Sequence, residues 1–298
     1  MPNNAYCESC SGCGEVFFQH RLQMIWQDAR YADLCEETLY NAVLGSVDLD
    51  GKNFTYTNPL DSAHARYLWH GCPCCVGNIP RTLLSLPTWL YSRSADALYV
   101  NLYLGSRVTI DKLGGTTVQI EQTTNYPWQG KVALTLAPAT PATFALHLRV
   151  PNRQTSALYV NSPPAAGLTS ITVNGRPVTP VIEHGYALIT REWHTGDTVE
   201  LEVPLPVQRV KASERIAAIS GRVALRRGPL VYNIESVDQN ADAVLAPATR
   251  LRAAWRDDML DGVMTITGTW HDGKPLTAIP NYARLNRGGR SLVWIRDR

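Results

Sequence analysis

The chain has 298 residues, which is enough for a substantial hydrophobic core and for more than one domain of ordinary size. Hydrophobic residues make up 45% of the sequence and charged residues 18%, as in globular proteins generally. The net charge is +2 and no block of lysine and arginine occurs, which argues against nucleic acid as a partner. No stretch of about 18 uncharged apolar residues is present, so we expect no membrane partner either.

Two helices are predicted within residues 11–45, because apolar residues recur there at helical spacing. The residues expected to face the core are Phe18, Leu22, Ile25 and Ala29 in the first helix, and Ala32, Cys35, Leu39 and Ala42 in the second. After a loop, a third helix is predicted with Asn78 as its N-cap and a kink at Pro87.

Beyond Ser94 the hydrophobic period changes from 3.6 to 2, which indicates β-strands. Apolar residues alternate with others in residues 98–104, 144–150 and 199–203. Asn174-Gly175, between two short apolar runs, predicts a hairpin. Short strands separated by Gly, Pro and Asn favour antiparallel β-sandwiches over a parallel α/β sheet.

The predicted fold class is therefore α+β, with a helical segment followed by two antiparallel β-sandwich domains. The predicted boundaries are residues 1–94 for the helical part, 95–208 for the first sandwich and 209–298 for the second.

All seven cysteines lie in one segment at the start of the chain. They are Cys7, Cys10, Cys13, Cys35, Cys72, Cys74 and Cys75. A secreted protein held by disulfides would spread an even number of cysteines along its length. An odd number in one segment instead indicates metal ligation or thiol chemistry in a reducing compartment, and the cytoplasm is the predicted location.

Four of these early residues form a plausible metal-ligand set. Glu8 and Cys10 are two residues apart, so in an extended segment their side chains point to the same side. Cys74 and Cys75 are adjacent, and on a loop both sulfurs can turn toward one ion. Three thiolates and one carboxylate make a tetrahedral donor set that suits zinc.

Other interpretations of the cysteines stay open from the residues alone. Cys35 reads as a small buried hydrophobe, and the remaining thiols could be equally inert. Cys7, Cys10 and Cys13 form a C-x2-C-x2-C pattern that could begin an iron–sulfur set. The protein could also be a carbohydrate-binding or scaffolding module with a purely structural zinc site. Redox chemistry between Cys74 and Cys75 is a further alternative, but adjacent cysteines form only a strained disulfide.

Several segments resemble family 127 of the glycoside hydrolases, the β-L-arabinofuranosidase group. In the helical part these are residues 2–10, 36–41, 50–59 and 72–79, which contain the Glu-x-Cys and Cys-x-Cys-Cys motifs. In the β-rich part they are residues 98–103, 227–232 and 283–287. The resemblance runs through nearly the whole chain. It implies that residues 1–94 are the C-terminal portion of a helical (α/α)6-barrel catalytic domain.

The resemblance also implies roles for individual residues. Glu8, Cys10, Cys74 and Cys75 match zinc ligands, and Cys74 matches the nucleophile that forms a thioglycosyl intermediate with net retention. Glu36 and Tyr56 match residues that contact the sugar, whereas Cys72 matches a motif cysteine without an assigned role. The implied partner is an arabinose-containing oligosaccharide or glycan, and a homodimer is compatible with the sequence.

A retaining glycosidase also needs a general acid, and in the family this glutamate lies upstream of the Glu-x-Cys motif. We therefore expect the chain to correspond to the C-terminal part of such an enzyme. Because proton transfer contributes about 10²–10⁴ in rate, the isolated chain is expected to be inactive or nearly so. Glu15 and Glu37 are expected to be solvated helix residues that do not replace the missing acid.

Overall fold

A computed structural model describes residues 5–154 and 156–297. The helical region comes first, and the rest of the described chain is mostly strand. Its helices are α1 (Ser9–Trp26), α2 (Ala29–Thr38) and α3 (Cys74–Ser85). α2 continues into a π-helical turn, Leu39–Val43, and a 3-10 turn, Leu44–Ser46, and α3 continues into a second 3-10 turn, Leu86–Trp89. In the described part of the chain, no helix is both long enough and apolar enough to cross a bilayer.

The described strands are numbered in chain order. They are β1 (Asp61–Ser62), β2 (Tyr91–Arg93), β3 (Ala97–Val100), β4 (Ser106–Leu113), β5 (Thr116–Thr124), β6 (Lys131–Pro138), β7 (Ala142–Arg149), β8 (Tyr159–Ser162), β9 (Ser170–Val173), β10 (Arg176–Pro177), β11 (Val181–Glu183), β12 (Tyr186–Trp193), β13 (Asp197–Glu202), β14 (Val207–Ala212), β15 (Arg222–Arg227), β16 (Leu230–Glu235), β17 (Val244–Leu245), β18 (Arg252–Arg256), β19 (Val263–Thr269), β20 (Pro275–Pro280), β21 (Ser291–Leu292) and β22 (Ile295–Asp297). Further 3-10 turns span Ala217–Ile219 and Asn281–Ala283.

The middle of the chain forms a β-sandwich. A six-stranded sheet in the order β10-β9-β13-β6-β5-β4 faces a five-stranded sheet in the order β11-β12-β7-β3-β2. Inward-facing side chains of both sheets, among them Leu98, Leu134, Phe144 and Val199, form one hydrophobic core. This core holds the second sheet in place, and the outer face of that sheet packs against the helical region through Ala29, Tyr99 and Tyr186.

The C-terminal strands form a branched, eleven-stranded sheet whose main path is β17-β22-β15-β16-β20-β19-β18. Two strands from earlier regions join it. β8, from the middle of the chain, pairs with β14, and β1, from the helical region, pairs with β21. The boundary predicted between residues 208 and 209 falls inside β14. The three regions are therefore connected by backbone hydrogen bonds as well as by side-chain packing.

The structure confirms the predicted α+β class and the antiparallel character of the sheets. Among the pairs described, β3 with β7 and β17 with β22 are the parallel ones. The hairpin at Asn174-Gly175 joins β9 to β10, and both residues have positive φ (51° and 72°), as a two-residue type I′ turn requires. The predicted alternation holds in β13, where inward residues are buried and the others are half-buried.

The predicted core face of the first helix is wrong. Phe18 and Ile25 are 58% and 69% exposed. The buried face of α1 instead contains Cys13 and Val16, with polar Gln19 and Gln23. Gln23 donates from its side-chain amide to Asn101 and Tyr186. Its burial depends on these hydrogen-bond partners in distant segments of the chain, and a hydrophobic pattern does not detect them.

Two further expectations are corrected. Helix α3 begins at Cys74, so Asn78 lies on its second turn and is not its N-cap. Residues 98–104 alternate in hydrophobicity, yet all four residues of β3, Ala97–Val100, are buried. This strand lies in the interior, with the sandwich core on one face and the helical region on the other.

Candidate metal centre

Four of the predicted ligands converge at one place. One carboxylate oxygen of Glu8 and the Sγ atoms of Cys10, Cys74 and Cys75 all lie within 4.8 Å of one another. The Sγ atom of Cys75 is 3.2 Å from that of Cys10 and 3.9 Å from that of Cys74. Glu8 Oε1 is 3.4 Å from Cys74 Sγ and 4.0 Å from Cys75 Sγ. We call these four residues the metal centre.

The spacing of these donor atoms fits a tetrahedral cation site. In such a site with Zn–S bonds of about 2.3 Å, two sulfur ligands lie about 3.8 Å apart. A sulfur and an oxygen ligand lie slightly closer, at about 3.6 Å. The distances from Cys75 Sγ to its two sulfur neighbours, 3.2 and 3.9 Å, bracket the first value. The donor set therefore fits a divalent metal that prefers sulfur.

The first two ligands come from the start of α1. Glu8 has extended backbone dihedrals and directly precedes the helix, and Cys10 is already helical. The expectation that both lie in an extended segment is therefore wrong, because the chain turns into a helix at Ser9. A neighbouring loop holds this start in place: Ser9 donates its backbone N–H to Tyr56, and Asn58 donates to Cys7.

The other two ligands are the first two residues of α3. This corrects the prediction that Cys74 and Cys75 lie on a loop. The N–H groups of a helix's first turn have no partners within the helix, and the helix dipole is positive at that end. Both effects favour thiolates over thiols. The N-cap, Pro73, supplies no side-chain hydrogen bond there.

Among the residues that the structure describes, no lysine or arginine forms an ion pair with Glu8. The pKa of Glu8 is lowered, because hydrogen bonds from Tyr6 and Cys74 outweigh the opposing effect of burial. The pKa of Cys75 is raised, chiefly by burial and then by its hydrogen bond with Cys10. Holding three thiolates and a carboxylate this close would be strongly repulsive. A bound cation would remove that repulsion, so the chemistry of the donor set favours a metal.

Aromatic side chains surround the exposed side of the metal centre. Tyr6 donates its hydroxyl hydrogen to Glu8 Oε2 over 3.1 Å. The Tyr56 ring stacks on the His70 ring, with centroids 4.4 Å apart. His70 Nδ1 accepts the backbone N–H of Cys72 over 3.1 Å, and Cys72 Sγ lies 3.8 Å from Cys74 Sγ. Tyr56, a predicted sugar contact, therefore lies in the wall beside the metal centre.

Glu36, the other predicted sugar contact, lies outside the metal centre. It is 2% exposed, and both of its oxygens accept hydrogen bonds. Arg149 Nη2 approaches Glu36 Oε1 to 2.5 Å, and Arg153 Nη2 approaches Glu36 Oε2 to 2.7 Å. Tyr126 donates to the same Oε2 over 3.1 Å. The structure thus places Glu36 in a buried ion network, and its contact with a sugar stays a prediction.

The same network contains Asp33, whose Oδ1 lies 2.5 Å from Arg149 Nη1. We call Asp33, Glu36, Arg149 and Arg153 the ion network. The pKa of Glu36 is lowered, because the two guanidiniums outweigh its burial. The pKa of Asp33 is raised instead, because burial outweighs the attraction of Arg149. Within the ion network, the negative charge of Glu36 is therefore better compensated than that of Asp33.

The remaining cysteines described are outside the metal centre. Cys13 and Cys35 are buried among apolar side chains of the helical region. Burial raises the pKa of Cys35 to about 12 and also raises that of Cys13. Cys7, Cys10 and Cys13 therefore do not form one cluster, and within residues 5–154 and 156–297 the iron–sulfur interpretation has no assembled site.

Sequence reasoning missed Asn78 as a contact of the site. Its Nδ2 lies 3.1 Å from Cys10 Sγ. Its position four residues after Cys74 was the available signal, since residues four apart share a helix face. Arg149 and Arg153 were also missed, and a buried arginine gives no signal in a strand pattern. Glu37, predicted to be solvated, instead pairs with Arg226 and lies 3.6 Å from Arg153.

These features define a protein with a cysteine-rich candidate metal site in a helical region supported by β-sheets. Family models match nearly the whole chain. The beta-L-arabinofuranosidase GH127 catalytic domain matches residues 1–88, and the GH127 middle domain matches residues 97–205. The glycoside hydrolase family 127 C-terminal domain matches residues 207–296. The chain belongs to glycoside hydrolase family 127.

Individual relatives agree with this assignment. The non-reducing end beta-L-arabinofuranosidase of Bifidobacterium longum is 30% identical over 291 residues, covering 89% of this chain and 42% of that protein. A solved GH127 beta-arabinofuranosidase is 34% identical with a TM-score of 0.92, covering 100% of this chain and 50% of the other. A GH127 beta-L-arabinofuranosidase from Geobacillus stearothermophilus T6 is 36% identical with a TM-score of 0.87, covering 100% and 51%. The chain spans about half the length of these relatives.

Proposed function

We propose that this chain carries the zinc-thiolate part of the active site of a retaining glycoside hydrolase. The proposed substrate is an arabinose-containing glycan from which the enzyme releases L-arabinofuranose, and the proposed nucleophile is Cys74. One observation carries the proposal: the donor atoms of the metal centre converge within 4.8 Å in a member of this family. The relatives named as beta-L-arabinofuranosidases support the choice of substrate.

Glu8, Cys10, Cys74 and Cys75 would hold the zinc ion. When bound, zinc would keep the thiols deprotonated and offset the negative charge that the four side chains bring together. Zinc is favoured over harder cations such as magnesium or calcium, because three of the four donors are sulfur. Its lack of redox chemistry also suits a site whose task is to present a nucleophile.

Cys74 is the best placed of the three thiols to attack a substrate. Cys75 is fully buried, whereas Cys10 and Cys74 are both half-buried. Cys10 Sγ contacts Cys75 and Asn78, whereas Cys74 Sγ lies next to exposed Cys72. In the first step Cys74 Sγ bonds to the anomeric carbon, the bond to the leaving oxygen breaks, and that oxygen takes up a proton. In the second step water displaces the sulfur, which leaves as a thiolate. Two displacements at one carbon give net retention.

Both steps require an acid–base group in addition to the nucleophile. Glu37 is paired with Arg226, and Glu15 accepts a hydrogen bond from Gln19. Neither belongs to the metal centre. We therefore assign the acid–base role to a group other than these two glutamates.

Tyr56 and His70 are proposed to form part of the sugar-binding wall. Their stacked rings offer a flat apolar surface with polar edges, which suits a furanose ring. Glu36 is kept as a second proposed sugar contact, although both of its oxygens already have protein partners. A sugar hydroxyl would have to share these oxygens with Arg149 or Arg153.

The seven cysteines are free in the structure. We propose on this basis that the protein works in a reducing compartment, such as the cytoplasm.

Metal analysis is the first experiment. The chain is purified without chelator, and its zinc content is compared with that of the Cys10→Ser variant. We expect about one zinc per native chain and a clear loss in the variant. A folded native chain without zinc would contradict the proposal.

The second experiment tests the nucleophile. The protein is incubated with an activated β-L-arabinofuranoside, quenched in acid and digested, and the peptides are analysed by mass spectrometry. We expect an arabinosyl adduct on the peptide that contains Cys74, and no such adduct in Cys74→Ser. An adduct on another residue would remove Cys74 from its proposed role.

One alternative has its own support. The four donors of the metal centre already complete a tetrahedral set, which is the usual arrangement of a structural zinc site. The protein would then be a carbohydrate-binding or scaffolding module. In that case Cys74→Ser would lower thermal stability and zinc content, and the native chain would form no arabinosyl adduct.

A further inference from the structure

Asn78 contacts the metal centre without belonging to the ligand set. It lies on α3, four residues after Cys74 and three after Cys75, and it is half-buried. Its side-chain Nδ2 is 3.1 Å from Sγ of Cys10, which lies on α1. Helix α3 therefore supplies two ligands and also a hydrogen-bond donor to a third ligand on another helix.

The orientation of this amide depends on the charge of the sulfur. A metal-bound thiolate only accepts hydrogen bonds, and the amide nitrogen of Asn78 is the atom that faces Cys10 Sγ. An N–H donor next to a thiolate draws charge from the sulfur and makes that sulfur a weaker nucleophile. Cys10 is thereby stabilised as a thiolate and held toward α3.

Cys74 has different surroundings. Its Sγ lies 3.4 Å from Glu8 Oε1 and 3.9 Å from Cys75 Sγ, and it accepts a hydrogen bond from the thiol of exposed Cys72 over 3.8 Å. Among the hydrogen bonds of the described residues, none brings an amide donor to this sulfur. Cys10 therefore accepts a hydrogen bond from an amide, whereas Cys74 accepts one only from a thiol, which is a weaker donor.

We propose that Asn78 is a positioning residue that divides the three thiolates into ligands and nucleophile. Its amide holds Cys10 as a permanent, weakly nucleophilic ligand, burial shields Cys75, and Cys74 is left as the reactive sulfur. This inference rests on the proposed function. It goes further by stating why one of three similar thiolates reacts.

The test measures the reactivity of each cysteine in the zinc-loaded chain. Native protein, Asn78→Leu and Asn78→His are treated briefly with iodoacetamide, and alkylation at Cys10 and Cys74 is quantified by peptide mass spectrometry. Leucine is close to asparagine in size but has no donor. Histidine carries its Nδ1 at about the position of the amide nitrogen. Ser85→Ala, on the same helix but outside the metal centre, is the matched control.

In the native chain we expect Cys74 to react faster than Cys10. Removing one hydrogen bond to a charged sulfur should raise the Cys10-to-Cys74 alkylation ratio of Asn78→Leu by about tenfold or more. Asn78→His should return the ratio toward the native value, and Ser85→Ala should leave it unchanged. In the cobalt-substituted protein, Asn78→Leu should shift the sulfur-to-metal absorption band to longer wavelength. A purely structural role of Asn78 would produce neither the recovery of the alkylation ratio in Asn78→His nor this shift of the absorption band.

The outcomes separate this inference from the proposed function. Native protein with one zinc but an unchanged ratio in Asn78→Leu would overturn the role of Asn78 and leave the metal centre intact. Native protein without zinc would overturn both. The alkylation ratio of Asn78→Ala is measured and interpreted in the same way. Alanine adds no bulk beside the sulfurs, so the result does not depend on how leucine packs.

Discussion

The metal centre and the ion network are two polar clusters built around glutamates of the helical region, and they differ in how their charge is compensated. In the ion network two carboxylates, Asp33 and Glu36, meet two guanidiniums, Arg149 and Arg153. In the metal centre one carboxylate meets three sulfurs. The protein itself neutralises the first cluster, whereas the second is suited to an external cation.

This difference follows the different exposure of the two clusters. Buried charges are tolerated only when they are paired and hydrogen-bonded, and the Arg149 and Glu36 side chains are 0% and 3% exposed. Glu8 is half-buried, so water and a metal can both reach it. A glutamate in this region is therefore structural when arginines surround it. It is available for chemistry when sulfur atoms surround it.

The ion network also links the regions of the chain. Asp33 and Glu36 lie on α2, Arg149 ends β7, and Arg153 follows in the next loop. The backbone N–H of Asn152 donates to Asp33 Oδ2 over 3.0 Å, and Tyr103 donates its hydroxyl to the backbone of Arg149. Helix α2, which packs against α1, is thus held against the sandwich at a point outside the metal centre.

The largest expected effect comes from breaking the ion network. Glu36→Gln removes the charge shared by two buried guanidiniums, and we expect a loss of about 3–5 kcal/mol in the free energy of unfolding. Urea unfolding followed by circular dichroism measures it. The control is Glu200→Gln, which breaks an exposed pair with Lys131 and should cost less than about 1 kcal/mol. Similar losses in the two variants would show that the network is not stabilising.

The second effect is stabilisation by zinc. At a free zinc concentration about 100 times its dissociation constant, the free energy of unfolding of the native chain should rise by about 2.7 kcal/mol. Cys10→Ser should lose this gain. Glu36→Gln should keep it, because effects at separate sites usually add. Melting temperatures with zinc and with chelator provide the measurement. A Glu36→Gln variant that no longer responds to zinc would show that the two clusters are coupled.

The third effect is a dependence of stability on acid pH. The folded-state pKa of Glu36 is lowered from its ordinary value of 4.5. Its ionised carboxylate therefore contributes to the free energy of unfolding at pH values above 4.5. The contribution is lost as the pH falls through the folded-state pKa. Asp33, with a raised pKa, acts in the opposite direction and partly offsets this loss.

Chemical unfolding from pH 6 down to pH 3 tests this prediction. The native chain should lose stability over this range, and Glu36→Gln should show a flatter profile. Equal slopes in the two proteins would assign the acid sensitivity to other carboxylates.

The smallest effect is expected from Tyr6→Phe. This change removes one hydrogen bond to Glu8 Oε2 from a tyrosine that is 70% exposed. Outer hydrogen-bond partners of a metal ligand are typically worth 10–100-fold in affinity when they are well sheltered. For this exposed partner we expect less than about tenfold weaker zinc binding, measured by competition with a chromophoric chelator. A larger loss would mean that Tyr6 orders the start of α1.

Much of the fold could be predicted, because local patterns determine it. The change of period after Ser94 located the strands, and Asn174-Gly175 located a hairpin because both residues accept positive φ. The buried face of α1 could not be predicted. Gln23 replaces an apolar residue there, and its partner Asn101 lies 78 positions away in the chain.

The sequence by itself determined which side chains can bind a metal, since thiol and carboxylate groups are chemical properties of Glu8, Cys10, Cys74 and Cys75. It also determined the order of helices and strands. Only the tertiary structure decided how charge is compensated at each place. Arg149 reaches Glu36 across 113 positions, and Asn78 reaches Cys10 across 68. Burial and hydrogen bonding act through space, so the environment of each glutamate and each thiol appears only when distant segments pack together.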